Sequence, residues 1–390
     1  MAEDRIRVAM LHGSGRPDSD GLSDYVTRLV DALGGVGVEA TPVPVRPDGD
    51  RWGRATARAA RRIRDLAPDL VHVQFAPSAH RFSGHTGLLP LRLPRRLPLV
   101  TTLHEYGRRA WPSWLPGRVW SAVERSRRWD RESGRLVPAS AAVIVTDGGH
   151  ASVVRERSGR EPAHIPIVPT VSDEAGAATA GRRLRDELGL PEGAPLLVFV
   201  GSGHPDKGVR YVIEALPQLC RAHPELHLLV LGGFTSPALP EPAARAHRAE
   251  LTGLAERSGL ADAVTVTGPL PADRVSAALH AADVAVLPFT AGASTRSGAL
   301  LAVLAHGVPT AVTRPDAPDD ELQRSGAVAV IPARRDSGAV AGTVGRLLTD
   351  PVLRRRLAER GRAFAAAYTW PRVAAAHRDV YRRILAGARA

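Results

Sequence analysis

At 390 residues the chain exceeds one ordinary core and suits two domains of roughly 150–200 residues each. Hydrophobic residues make up 44%, which excludes a disordered chain, and 52 basic against 40 acidic residues leave a net charge of +12. With aromatics at only 4% and the arginines scattered rather than striped, nucleic acid is not an expected partner.

In chain order, residues 6–11 form a short apolar run that ends in the glycine-containing loop 12–21. An amphipathic stretch at 22–33 follows, so the opening reads as strand, loop, helix. The alternation continues through 38–45, 55–66, 70–75, 97–103, 119–129 and 142–146. Short apolar runs separated by helical stretches predict a parallel sheet covered on both faces. Residues 171–181 (VSDEAGAATAG) are small, polar and aperiodic and read as an interdomain linker. A second series has strands at 196–200, 226–231, 264–267, 284–288, 310–313 and 327–331. Helices at 351–368 and 371–386 close the chain.

The expected organisation is therefore α/β: two Rossmann-like doubly wound domains, with ligands bound in the cleft that they face across. The first domain is placed at 1–172 and the second at 183–369, with a terminal helix at 370–390. No apolar run approaches the ~18–20 residues that span a bilayer, and no leader pattern opens the chain. The single cysteine, Cys220, allows no disulfide within the chain, sits at a packing position and points to a cytoplasmic protein.

Of the 52 basic residues, 51 are arginine; the only lysine is Lys207. In a chain that uses Arg wherever either will serve, a surviving Lys marks a place for a compact ammonium where a planar guanidinium does not fit. Lys207 lies in VFVGSGHPDKGVRYVIEAL (198–216), where a strand ends at Gly201 and Lys207–Gly208 opens a helix. Backbone N–H groups at a helix start together with one ammonium make a diphosphate site. A second such segment, 282–312, runs from a strand through an irregular loop to Arg296, Ser297 and Gly298. There a helix N-terminus favours an anion, Gly298 is expected to let a ligand approach, and Arg296 offers a fork for phosphate oxygens.

In this order and about 90 residues apart, the two segments resemble the donor half of family 4 glycosyltransferases of the GT-B fold. The resemblance covers nearly the whole chain. The first half supplies GLSDYVTRLVDAL from Gly21, Asp69–Leu70–Val71–His72 as D-x-V-H, and Thr102–Leu103–His104 as T-x-H. The second supplies Gly201…Lys207–Gly208, Gly268–Pro269–Leu270, Ala282–Asp283–Val284…Pro288, and the terminal W-x2-V-A helix at Trp370–Ala374. The family also departs from this chain. Its usual Arg after the first glycine is Ser202 here, and its Glu-x7-Glu pair falls at Ser294 and Ala302, where both carboxylates are missing.

The resemblance implies a retaining, metal-independent transfer of a sugar from a nucleotide-sugar donor, with no cofactor required. The acceptor is a hydroxyl of a small molecule, a lipid or a glycan. Catalysis is expected from His104, Lys207 and Arg296. The donor is expected to meet Gly21, Leu22, Gly201, Ser202, Lys207, Leu270, Ser294, Arg296, Ser297, Gly298, Ala299 and Ala302. Glu105, Trp111 and Asp147 are candidates for the acceptor, with Trp114 and Trp120 joining Trp111 in an aromatic wall or simply packing. The missing glutamates leave open a nucleotide-sugar-binding protein without turnover, or a phosphorylase or epimerase on the same fold. Residues 1–170 hold 26 arginines against 18 acids, a surplus of 8, compatible with peripheral contact to anionic lipid. The helical 54–64 segment has an alanine-rich, poorly apolar face and reads as solvated. The triplet Asp18–Ser19–Asp20 reads as a solvated turn, and none of the 14 histidines falls at metal-ligand spacing in the sequence.

Overall fold

The computed structural model describes residues 5–13, 21–47, 49, 51–201, 203–233, 241–315 and 319–389, with the side chains of 388 and 389 excepted. Ser202 and the Asp18–Asp20 triplet lie outside the described residues. The chain divides into two compact units: residues 1–166 with 370–390, and residues 167–369.

In unit 1, six parallel strands lie in the order β2-β1-β3-β4-β5-β6. They are β1 (Ile6–Gly13), β2 (Val38–Val45), β3 (Leu70–Phe75), β4 (Leu99–Leu103), β5 (Ala142–Val145) and β6 (Ala163–His164). The helices are α1 (Gly21–Gly34), α2 (Trp52–Leu66), α3 (Gly117–Arg125), α4 (Leu136–Ala139) and α5 (Gly148–Ser158). Strands β3 and β4 are buried at every position, as a sheet covered on both faces requires. Asp69, the acid of D-x-V-H, accepts from the Arg7 amide at 2.7 Å and so clamps the start of β3 to β1.

Helix α2 corrects the expectation of a solvated 54–64 segment. Trp52, Ala55, Thr56, Ala59, Ala60 and Ile63 are buried in the unit 1 core. The alanines make that face look weakly apolar in sequence, but their small size is what lets the helix lie close on the sheet.

In unit 2 the order is β12-β11-β10-β7-β8-β9, again all parallel. The strands are β7 (Leu196–Val200), β8 (His227–Leu231), β9 (Val264–Val266), β10 (Val284–Leu287), β11 (Thr310–Thr313) and β12 (Ala329–Ile331). They alternate with α6 (Ala177–Glu187), α7 (Val209–Ala222), α8 (Glu241–Arg257), α9 (Ala272–Ala281), α10 (Gly298–Ala305), α11 (Asp320–Ser325), α12 (Ser337–Thr349) and α13 (Pro351–Ala365). Asp283 accepts from the Leu196 amide at 2.8 Å and from Arg185 at 3.2 Å, repeating at β10 the clamp that Asp69 makes at β3. Cys220 on α7 is partly buried and packs on the unit 2 core.

The segment 171–181 differs from the linker expected of it. Val171 is buried in the core, and α6 begins at Ala177. Its small residues have a packing reason: a Cβ on Gly181 would lie 2.8 Å from the carbonyl oxygen of Ala277, so α6 and α9 meet backbone to backbone.

The terminal helix α14 (Trp370–Arg389) belongs to unit 1. It brings His377 and Tyr381 into a core that already holds His72 and His80, all four fully buried. Burial depresses the pKa of each histidine: His80 to about 3, His377 to about 4, and His72 well below the ordinary value. These side chains are neutral when folded but take up a proton when unfolded at mildly acidic pH, so the unfolded chain binds more protons. Stability is expected to be unaffected above pH 6.5 and to fall as pH drops toward 4. The slope should be on the order of 1 kcal/mol per pH unit for each such histidine. Urea unfolding of unit 1 between pH 7 and pH 4.5 checks this; a flat profile would contradict it.

Candidate functional site

The strand order of unit 2 reverses between β7 and β10, and the loops that leave these two strands hold the residues singled out in sequence. A crevice at the carboxyl ends of strands flanking such a reversal is where doubly wound sheets bind ligands. The first loop leaves β7 at Gly201 (φ +144°), whose amide bonds the Leu231 carbonyl at 3.0 Å. A short 3₁₀ turn at Pro205–Lys207 is capped by the His204 ring, which accepts from the Asp206 amide at 3.2 Å. Gly208 (φ +73°) then turns the chain into α7.

The two loops are bonded to each other. The Asp206 carbonyl accepts from the Thr290 amide at 2.9 Å and from its hydroxyl at 3.3 Å. A Cβ on Gly208 would lie 2.1 Å from the Pro288 carbonyl oxygen, so only glycine permits this approach. The second loop is tied back to β11 and α11. Ala293 donates to the Thr313 carbonyl at 3.0 Å, and Thr295 donates through its amide and hydroxyl to Asp319, at 2.8 and 2.9 Å.

This frame places Lys207 and Arg296. The Lys207 ammonium lies 4.6 Å from the centre of the Phe289 ring, a cation–π contact that holds it over the second loop. Its pKa is lowered by burial and by the nearby Arg296 charge, against an opposing effect of Asp206. Arg296 is exposed, and its Nε donates to the Ser294 hydroxyl at 3.4 Å. The Arg296 charge is near enough to lower the proton affinity of Lys207, a repulsion that an anion between the two relieves. Ser297 caps α10, its hydroxyl accepting from the Leu300 amide at 3.2 Å. Ser297→Ala is expected to cost about 1 kcal/mol in urea unfolding, the usual worth of such a cap. No loss would assign that amide to another acceptor.

Two sequence expectations acquire a different physical basis, at Gly298 and Ala302. A Cβ on Gly298 would meet the Thr170 methyl at 2.5 Å, and the Gly298 carbonyl accepts from the Thr170 amide at 3.1 Å. The glycine thus accommodates the chain's own segment rather than leaving room for a ligand. Ala302 is fully buried in the apolar core, so it presents no group for a donor to meet. Leu270 is partly buried against the same core, just after Gly268 (φ +71°). Ala299, at the start of α10, is partly buried beside it.

In unit 1, Gly21 is exposed at the start of α1 and Leu22 is buried. His104 follows β4. Its Nε2 lies 2.7 Å from Gln74 Oε1, and the Tyr25 ring stands edge-on at 5.0 Å. Desolvation, helped by His150 and His377, lowers its pKa to about 3, so it is neutral at physiological pH. The acceptor candidates are less available than their sequence positions suggest. Asp147 is buried and caps α5 through the His150 amide at 2.9 Å. Glu105 is exposed, but its carboxylate accepts from the Ser78 hydroxyl at 2.5 Å and amide at 3.1 Å, anchoring the turn after β3.

The three tryptophans do not share one environment. Trp111 packs over Gly84, where a Cβ would lie 2.1 Å from its ring. Trp114 is 78% exposed, and Trp120 is buried. Among the described residues one histidine–carboxylate group has metal-ligand spacing: Asp173, His280 and His306. Each has a protein partner: Asp173 and His280 pair at 2.7 Å, and His306 bonds Ser276 at 2.8 Å and the Ala302 carbonyl at 2.7 Å. Sequence reasoning missed Phe289, Thr290 and Gln74. The first two carry no signal beyond their place after β10, and Gln74 stands out only as an amide inside an apolar strand.

Comparison with known proteins agrees with this architecture. Residues 2–174 match Glycosyltransferase Family 4, and residues 182–364 match Glycosyl transferases group 1. The chain is 28% identical to D-inositol 3-phosphate glycosyltransferase 2 of Catenulispora acidiphila, over 99% of this chain and 95% of that protein. It is 30% identical to glycogen synthase of Mycobacterium tuberculosis, over 84% of this chain and 73% of that protein. Sucrose-phosphate synthase from Thermosynechococcus elongatus superimposes with a TM-score of 0.74 at 19% identity, covering 98% of this chain and 100% of that one. Among the described residues no helix is long and apolar enough to cross a membrane. Two parallel six-stranded units, the two family matches and the relatives that span nearly the whole chain lead to one assignment: the chain belongs to the family 4, group 1 glycosyltransferases of GT-B fold, enzymes that use nucleotide sugars.

Proposed function

We propose that unit 2 binds the diphosphate of the nucleotide sugar between Lys207 and Arg296. The observation that carries this is the convergence of the two cations, on loops bonded to each other, at the strand-order reversal. As the sugar leaves, negative charge grows on the β-phosphate. Lys207, Arg296 and the amides at the start of α10 stabilise that charge from fixed positions, without reorganisation. His104, neutral and held at the end of β4, acts on the transferred sugar. The anomeric configuration is retained and no metal takes part.

Ser294 and Ala302 occupy the two positions where relatives of this type carry glutamates. We read this as a donor site in which Arg296 stands in for the arginine replaced by Ser202 and the Ser294 hydroxyl bonds the sugar. Arg296→Ala is accordingly expected to lower kcat/KM roughly 100-fold, as for one lost oxyanion donor. Ser294→Ala should lower it less, since the Ser294 hydroxyl offers the sugar one neutral hydrogen bond besides steadying the guanidinium. Full activity in both variants would remove this compensation.

For the acceptor, the reading is a small hydroxylated molecule. The two relatives described above are named for a phosphorylated polyol and a glucan, which keeps both small and polymeric acceptors in the test. The decisive experiment follows release of nucleoside diphosphate from UDP-, GDP-, ADP- and dTDP-sugars, with inositol phosphates, monosaccharides and a glucan offered in turn. Acceptor-dependent release from one donor supports the reading. Binding of a donor without release under any condition would favour a nucleotide-sugar-binding protein, and a product formed without nucleotide would overturn the donor assignment.

A further inference from the structure

Unit 1 buries a chain of polar groups that links its terminal helix to His104. Tyr381 Oη lies 2.6 Å from His72 Nδ1, and His72 Nε2 lies 2.7 Å from Thr102 Oγ1. Gln74 Nε2 lies 3.3 Å from His72 Nε2 and 3.2 Å from Met10 Sδ, while Gln74 Oε1 lies 2.7 Å from His104 Nε2. Met10, His72, Gln74 and Tyr381 have no solvent exposure, and Thr102 has 1%. Polar groups in such a core cost stability unless every bond is made, and an apolar set of the same shape would fold without that demand.

The donors and acceptors follow from chemistry. A thioether has no proton to give, so the atom of Gln74 facing Met10 is the amide nitrogen. Its oxygen therefore faces His104 and can only accept, which puts the His104 proton on Nε2. The same amide N–H points at His72 Nε2, so that nitrogen is a lone pair, and His72 donates from Nδ1 to Tyr381. With the amide in this orientation, and with the Thr102 hydroxyl also donating to His72 Nε2, Gln74 sets both histidine tautomers in the chain. His104 keeps partial exposure, and with Nε2 committed inward, Nδ1 is the nitrogen left for a ligand.

We propose that Gln74 is a positioning residue for this glycosyltransferase: it holds the His104 ring in the Nε2–H tautomer and so makes Nδ1 a hydrogen-bond acceptor toward the bound sugar. The proposal rests on the reading of His104 as the residue that meets the transferred sugar. In this state His104 cannot pass a proton to a leaving oxygen; its Nδ1 accepts a hydrogen bond from a hydroxyl, which keeps its proton, and orients the group that bears it. The surroundings of the ring favour the neutral form, because the Tyr25 ring stands against it, His72, His150 and His377 interact with it, and among the described residues no carboxylate is bonded to it.

The test needs no donor for its first arm. Long-range ¹⁵N–¹H NMR of histidine-labelled protein at pH 7 is expected to show His104 protonated at Nε2. Gln74→Leu should lose that signature and lower kcat about tenfold, the worth of one hydrogen bond, with donor KM little changed. Gln74→Glu keeps an acceptor at the same place. It should restore the tautomer and move the acidic limb of the kcat profile to higher pH, since a carboxylate favours the imidazolium. A purely structural glutamine would lower Tm in both variants without moving either the tautomer or the pH limb.

A wild-type ring protonated at Nδ1, or unchanged kcat in Gln74→Leu, would overturn the proposal. If Gln74→Leu does not fold, the wild-type spectrum and Gln74→Glu decide it. Full turnover in His104→Ala alongside the expected tautomer would sink the catalytic reading of His104 while leaving Gln74's control of its ring in place.

Discussion

Lys207→Ala is expected to abolish measurable binding of the preferred nucleoside diphosphate, and to lower turnover roughly 10²–10³-fold by analogy with one lost oxyanion donor. The ammonium is held over Phe289 at 4.6 Å and is already partly desolvated, so it gives up little hydration when phosphate arrives. Arginine should not rescue it. In a chain that uses arginine at every other basic position, the lysine points to a need for a compact charge rather than a planar fork. This is the one basic position in the chain that is not arginine, so Lys207→Arg asks directly whether that difference has a function. Removing the charge also relieves repulsion with Arg296, so the melting temperature should stay level or rise. Calorimetric titration of UDP, GDP, ADP and dTDP against wild type and both variants measures the effect. Micromolar affinity that survives in Lys207→Ala would move the diphosphate elsewhere.

The second large effect is expected from Gly208→Ala, which should cost at least about 2 kcal/mol. A left-handed backbone in an L-residue costs roughly 1–2 kcal/mol, and the new Cβ would also stand 2.1 Å from the Pro288 carbonyl oxygen. Relief requires the first loop to move off the second, which breaks the Thr290–Asp206 bond at 2.9 Å and separates Lys207 from Arg296. Stability and diphosphate affinity should therefore fall together. Gly189→Ala is the control. Gly189 has a φ of +65°, but an added Cβ would meet nothing within 4 Å, so it carries the backbone strain alone. Equal losses in the two variants would show that the contact with Pro288 is not what holds the loops together.

Much of this protein is legible in its sequence. Periodicity placed every strand but β6 to within a few residues, because strands buried on both faces leave continuous apolar runs, whereas the two residues of β6 are too short to leave one. The glycines at 201 and 208 and the Lys between them marked the first loop, because left-handed backbone and a lone ammonium both restrict residue choice. Elsewhere the structure gives residues a role that the sequence does not show. Residues 171–181 look like a linker because small residues serve flexibility and close packing equally, and only the approach of α9 to Gly181 separates the two. Gly298 suggested room for a ligand, whereas the space is taken by Thr170. Asp147 stands at a strand end as a binding acid would, yet its oxygen caps α5.

The sequence by itself determined the class of fold, the order of its elements and the residue types at the two loops. Local backbone preference and hydrophobic period act over a few residues and are written in them. Only the tertiary structure decided what those residues face. Lys207 meets Phe289 and Arg296 across more than 80 positions, and Gln74 meets His104 across 30. Tyr381 reaches His72 across 309, so no local pattern could have announced it. Hydrogen-bond partners, tautomers and shifted proton affinities depend on such long-range neighbours, because each is set by the atoms within a few ångströms and not by the residues along the chain.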